Sequence, residues 1–131
     1  MRSIKLIESL YGFLTSDSEL TNIVGNRIYP VVAQQNTETP YVVHSIISVD
    51  ITQTHDKPIA SINHKFQFNI FANNQADVHE ITYLIKNLLS GKQIQTDFIN
   101  AKVMQIQDLS INYEEQLELF YTEIILNILT I

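Results

Sequence analysis

The chain has 131 residues and no cysteine, which excludes disulfides and thiolate metal sites. This length suits a single domain over residues 1–131, able to bury about two thirds of its unfolded surface without a covalent or metal staple. A net charge of −6, from 14 acids against 8 bases, argues against a duplex-binding protein, which needs a basic patch to displace counterions.

Residues 3–15 place Ile4, Ile7, Leu10, Tyr11 and Leu14 on one helical stripe. Ser16-x-x-Glu19 reads as a capping box for a short second helix ending near Val24, with Gly25 as its C-cap. Residues 27–32 predict a short strand. Pro30 cannot donate to a ladder, which confines this strand to an edge or an end. A polar detour, "QQNTET", then runs to Pro40. Tyr29-Pro30 and Pro40-Tyr41 stiffen its two ends, so it can project from a sheet edge without disturbing register.

From Tyr41 to Thr52 the alternation predicts a long strand. Tyr41, Val43, Ile47, Val49 and Ile51 form its buried face, and Val42 and Ile46 lie on a partly covered one. "QTHDKPIA" at residues 53–60 forms a polar tip. The next strand follows, with Ile62, His64, Phe66, Phe68 and Ile70 on one face. Two long strands joined this way read as an antiparallel hairpin. Its link lacks the Asn-Gly or Asp-Gly of a tight turn, so the tip should reach beyond the packed layer. Gln53, Thr54, His55, Asp56 and Lys57 are therefore the candidate contact residues.

Asn74-x-x-Asp77 caps a helix whose stripe is Val78, Ile81, Leu84, Ile85, Leu88 and Leu89, ending at Gly91. Residues 92–100 read as a loop, and residues 102–113 as a strand whose phase shift predicts a bulge near Gln107-Asp108. Asn112 to Gln116 turns the chain into a last strand carrying Phe120, Ile124, Leu126 and Ile128 on one face. The expected fold is α+β, a mostly antiparallel sheet of four to five strands with helices packed on one face. Several strands are apolar on both faces, which one helical layer cannot cover. Either the chain self-associates or its sheet closes like a barrel.

No motif implies a reaction. His79-Glu80 begins like the zinc signature H-E-x-x-H, but the fifth position is Tyr83. His44 and His64 lie on paired strands, and a metal there would need a carboxylate such as Asp50. There is no G-x-S-x-G elbow, and with three glycines there is no phosphate-cradling loop. Glu114-Glu115 sits on a predicted exposed turn, where nothing raises one carboxyl for acid catalysis. No catalytic, cofactor-binding or metal-binding residue is expected. No leader pattern opens the chain and no apolar run approaches the ~20 residues of a membrane span, so a soluble cytoplasmic protein is the simplest reading. After Lys102 come Asp108, Glu114, Glu115, Glu118 and Glu123 without a base. This is either a solvated face or a surface that repels a polyanion or meets a basic partner.

Four stretches together resemble the tail-completion, or tail-terminator, proteins of long-tailed bacteriophages. They are "LTNIVGNRIYP", "TPYVVHSIIS", "HKFQFNIFANNQADVHEI" and "INYEEQLELFYTEIILNI", and the resemblance spans residues 4–129. One departure is that "FYTEIILNI" lacks the basic residues often found there. The resemblance implies a virion structural protein, assembled in the host cytoplasm, forming a ring that is commonly a hexamer. That ring would cap the tail tube protein, stop its polymerisation and join the tail to the head connector. Phage DNA would pass through the hole without specific binding, and no cofactor or membrane is involved. In the family, excursions like the one between Tyr29 and Tyr41 take part in ring assembly. Rival readings are another head-tail joining component, such as head closure or the tube subunit, and a small ligand-binding or hydrolytic domain.

Overall fold

The computed structural model describes residues 2–30, 37–53, 55–56, 61–95 and 100–130. Its elements run α1 (Arg2–Ser16), α2 (Ser18–Val24), β1 (Ile28–Pro30), β2 (Tyr41–Thr52), β3 (Ser61–Ala72), α3 (Gln75–Leu89), β4 (Gln93–Gln95), β5 (Asn100–Asp108), β6 (Asn112–Glu114) and β7 (Leu119–Thr130). The α+β class holds, but among the described residues the sheet has seven strands rather than four to five. The extra strands, β1, β4 and β6, have three residues each, too few for an alternating pattern to register.

In α1, Leu6, Leu10 and Leu14 repeat every four residues and are buried. The stripe is thus centred on Leu6, with Ile7 half-buried and Tyr11 exposed at its margin. The next helix starts one residue later than the capping box placed it. Asp17 is its N-cap, its carboxylate accepting from the Leu20 amide at 2.9 Å. A side-chain acceptor there satisfies an amide the helix leaves unpaired, and a negative group suits the positive end of the helix dipole. Gly25 closes α2 with φ +59, a region that a Cβ disfavours. Asn74 caps α3 as expected, accepting from the Asp77 amide at 2.8 Å.

The strand order is β1-β2-β3-β7-β5-β4, with β6 also on β7. All pairings are antiparallel except β1 with β2, which is parallel. β1 is an edge, which lets Pro30 end it. No pairing between β1 and β4 closes the sheet among the described residues. β5 stops at Asp108 instead of running to residue 113, and its register shift lies between Val103 and Gln105, not at Gln107-Asp108. The expected phase change reflects two separate strands, β5 and β6, meeting the same neighbour at different heights.

One face of the sheet carries Phe66, Phe68, Ile70, Ile124, Leu126 and Ile128, all essentially inaccessible. These meet α3 through Val78, Ile81, Ile85 and Leu89, and α1 and α2 through Leu6, Leu14, Leu20 and Val24. Each such side chain contributes about 1.5–3 kcal/mol by leaving water. The other face is polar along Asn63, Lys65, Gln67 and Asn69, apart from a small second cluster. There Tyr41 stacks on Phe71 at 5.0 Å between centroids, and Phe71 on Tyr121 at 5.8 Å, beside Val43 and Leu119. The second apolar face read from the sequence therefore gathers into a buried cluster at this end of the sheet, while Ile125 and Leu129 lie half-buried beside the polar residues of the same face.

Candidate assembly surface

The β2–β3 hairpin is divided along its length. Residues 41–44 of β2 are buried on both faces, because they lie between the main core and the Tyr41 cluster. Beyond them, cover is lost. Ile46, Ile47, Val49 and Ile51 keep 40%, 45%, 44% and 52% of their surface. This overturns the single buried face assigned to Tyr41, Val43, Ile47, Val49 and Ile51. One cause is packing: α3 lies over β3, β7 and β5, not over the outer half of β2. The other is a bulge. Register slips between Ile46 and Ser48, so Val49 and Ile51 change faces and align with His64 and Ile62. A row of apolar side chains thus lies half-exposed on the helix-side face of a hairpin arm that reaches beyond α3 among the described residues.

The base of this arm is firmly held. Arg27 Nε donates to the Pro40 carbonyl at 2.9 Å, and its terminal nitrogen donates to the Ile23 carbonyl at 3.1 Å. Tyr29 and Tyr41 rings lie 6.4 Å apart. The two ends of the polar detour are therefore clamped together, while residues 31–36 lie outside the described residues. Burial pushes the Tyr41 hydroxyl above the usual phenol range.

At the tip, Gln53, His55 and Asp56 are exposed, and Thr54 and Lys57 lie outside the described residues. The exposed apolar row beside them reads in the sequence as part of a buried strand face. Its sequence signal is faint: only His44, Ser45 and Ser48 interrupt the run from Tyr41 to Val49 before Asp50 appears.

His44 and His64 do not meet. His44 lies opposite Phe68 and His64 opposite Val49, five positions along β2. His44 sits edge-on to Phe68 beside a space of about 10 Å³ also lined by Leu10, Tyr11 and Ile28. Apolar surroundings hold its imidazole below the usual histidine range. His64 stacks on Phe66 with its Nε2 3.4 Å from Thr130 Oγ1. Among the described residues, no three His, Asp or Glu side chains are grouped as metal ligands would be. In the acidic C-terminal third, Asp108 pairs with Lys86 of α3 at 3.0 Å, so that charge is partly answered from another element. Glu114 is half-buried and accepts from the Gln116 amide at 3.1 Å, next to the turn that links β6 to β7.

The tail completion protein gp17 family matches residues 8–118. The chain belongs to this family. It is a structural protein of the bacteriophage virion tail, as the resemblance implied. No curated protein sequence matches it. The fold is similar to that of a chain in the solved virion of a native gene transfer agent particle. The TM-score is 0.66 at 17% identity, covering 92% of this chain and 90% of that one. At this identity the likeness speaks for the fold alone. No helix among the described residues of this tail completion protein is long and apolar enough to cross a membrane.

Proposed function

We propose that this tail completion protein assembles into a ring, commonly a hexamer, on the end of the finished tail tube. There it stops addition of tube subunits and offers a surface to the head connector or head closure protein. The observation that carries this reading is the uncovered apolar row at Ile46, Val49 and Ile51, on an arm whose base is tightly packed. A rigid arm with unburied aliphatic side chains gains about 25 cal/mol per Å² when a partner covers it. The tip, with Gln53, Thr54, His55, Asp56 and Lys57, then touches the next subunit or lines the hole. A net charge of −6 suits a lumen through which DNA must slide without being held. The role is structural, with no catalytic step and no cofactor.

Electron microscopy of the purified protein, alone and with tail tube subunits, tests this reading. Rings with a central hole that sit on tube ends and stop elongation support it. A chain that co-polymerises along the tube, or binds only the head connector, would be a tube or head-closure component instead. A monomer under every condition would refute assembly altogether.

A further inference from the structure

We propose that neighbouring copies of this chain join edge to edge. Residues 45–49 of β2 in one copy pair antiparallel with residues 104–107 of β5 in the next, so that one sheet continues from subunit to subunit. This rests on the ring proposed above and specifies how its subunits meet.

Both edges are open among the described residues. β1 covers β2 only at residues 42–44, and β4 covers β5 only at residues 100–102, with one further bond from the Val103 amide to the Lys92 carbonyl at 2.9 Å. The covering strands sit at opposite ends of the sheet, and the uncovered stretches overlap in height. Following the pairings across β3 and β7, Ser45 is level with Gln107, Ile46 with Ile106, and Ser48 with Gln105. Along residues 45–48 and 105–107, a second copy set beside the first therefore brings open edge to open edge, with neither covering strand between.

Chain direction also fits. β2, β3, β7 and β5 alternate in direction, so β2 and β5 run oppositely. A copy rotated about an axis along the strands presents its β2 antiparallel to β5. The alternation continues without a break, and the main-chain groups of the two edges can pair. Because the two edges differ, the contact is heterologous, and it repeats until rotation closes it.

The side chains suit such a joint. Isolated proteins protect edge strands with charges, proline or very short length. Residues 45–49 and 104–107 contain neither charge nor proline. Each stretch also carries one exposed apolar side chain at a register shift, Ile47 at 45% and Met104 at 58%. The two shifts lie at nearly the same height, so the bends they impose on the two edges match.

The absence of cysteine makes the test clean. Ser48→Cys with Gln105→Cys, and separately Ser45→Cys with Gln107→Cys, put two thiols in one chain on opposite sides of the sheet. Three strand spacings separate them, about 14 Å, and a disulfide needs Cα atoms within about 7 Å, so only neighbouring copies can be bridged. Oxidation of assembled protein should give a covalent ladder ending in a closed species, while each single variant stays uncrosslinked. Hydrogen exchange on the unsubstituted chain provides a second reading. Outward-facing amides in residues 45–49 and 104–107 should slow about tenfold or more on assembly. Rings that form without crosslinks at either pair, and without slowed exchange at these edges, overturn the edge joint and leave the ring standing. Failure of the unsubstituted chain to form any multimer, even with tube subunits, overturns both.

Discussion

Ile46→Thr combined with Val49→Thr separates what the outer arm does for the subunit from what it does for the assembly. Threonine keeps β-branching, so strand preference is retained. Burying such an aliphatic side chain completely is worth about 1.5–3 kcal/mol. Ile46 and Val49 retain 40% and 44% of their surface, so somewhat more than half of that gain is realised within the subunit. About 1 kcal/mol per side chain is left for a partner to recover. The pair should therefore weaken each subunit contact by about 2 kcal/mol, or roughly thirtyfold in Kd. Sedimentation over a wide concentration range measures this. By the same reckoning the subunit itself gives up about 2–3 kcal/mol and should melt about ten degrees lower, with unchanged far-ultraviolet circular dichroism. Val42→Thr is the internal contrast, since Val42 is fully buried in the same strand. Its hydroxyl would lose water with no partner provided, costing about 1–3 kcal/mol of folding stability. Its direct effect on assembly should be small. Association within threefold of the parent for the Ile46/Val49 variant would refute the reasoning. So would an assembly loss for Val42→Thr as large as theirs.

Replacing residues 53–57 with Gly and Ser should leave subunit stability within about 1 kcal/mol, as for surface changes generally. Ring formation or tail-to-head joining should weaken, and counts of rings and joined particles beside thermal melts would show whether it does. For His44, burial lowers the folded pKa below the unfolded value of about 6.5, so the unfolded chain takes up the proton first on acidification. The stability from keeping this ring neutral is full above about pH 6.5 and is lost as pH falls through the folded value. Urea midpoints between pH 7.5 and 5 should show a shallower pH slope for His44→Gln, and an unchanged slope would be contrary. Asn74→Ala removes the acceptor at the α3 N-terminus and should cost about 1 kcal/mol, read from the same urea curves. Lys86→Ala breaks an ion pair whose two side chains are exposed, and should shift the midpoint by less than half as much.

Local chemistry was legible wherever neighbours in sequence are neighbours in space. Asn74 and Gly25 cap their helices because capping depends on a few consecutive residues. The bounds of β2 and the inward face of β3 follow from a period of two over a long stretch. Distant pairing left weaker traces. β4 reads as loop in the sequence because three residues, Gln93, Ile94 and Gln95, show no period until β5 lies beside them. The sequence does not locate the shift in β5, because the same pattern fits a bulge and a break between strands. The sequence shows the tip residues as polar, and Gln53, His55 and Asp56 are exposed, whereas the apolar row below them has the pattern of core.

By itself the sequence determined the element types, the polar hairpin tip, the lack of thiol chemistry and the family. All of these rest on composition, spacing, or the order of short motifs along the chain. Only the tertiary structure decided which aliphatic residues the subunit leaves uncovered. Alternation tells which residues share a face, and nothing about how far the helices extend over it. Here α3 lies over the central strands, and a bulge after Ile46 changes the faces of Val49 and Ile51 on an edge arm. The same apolar pattern that is core at Val42 is surface at Val49, because helix position and strand order set burial and both arise from contacts between residues far apart in the chain.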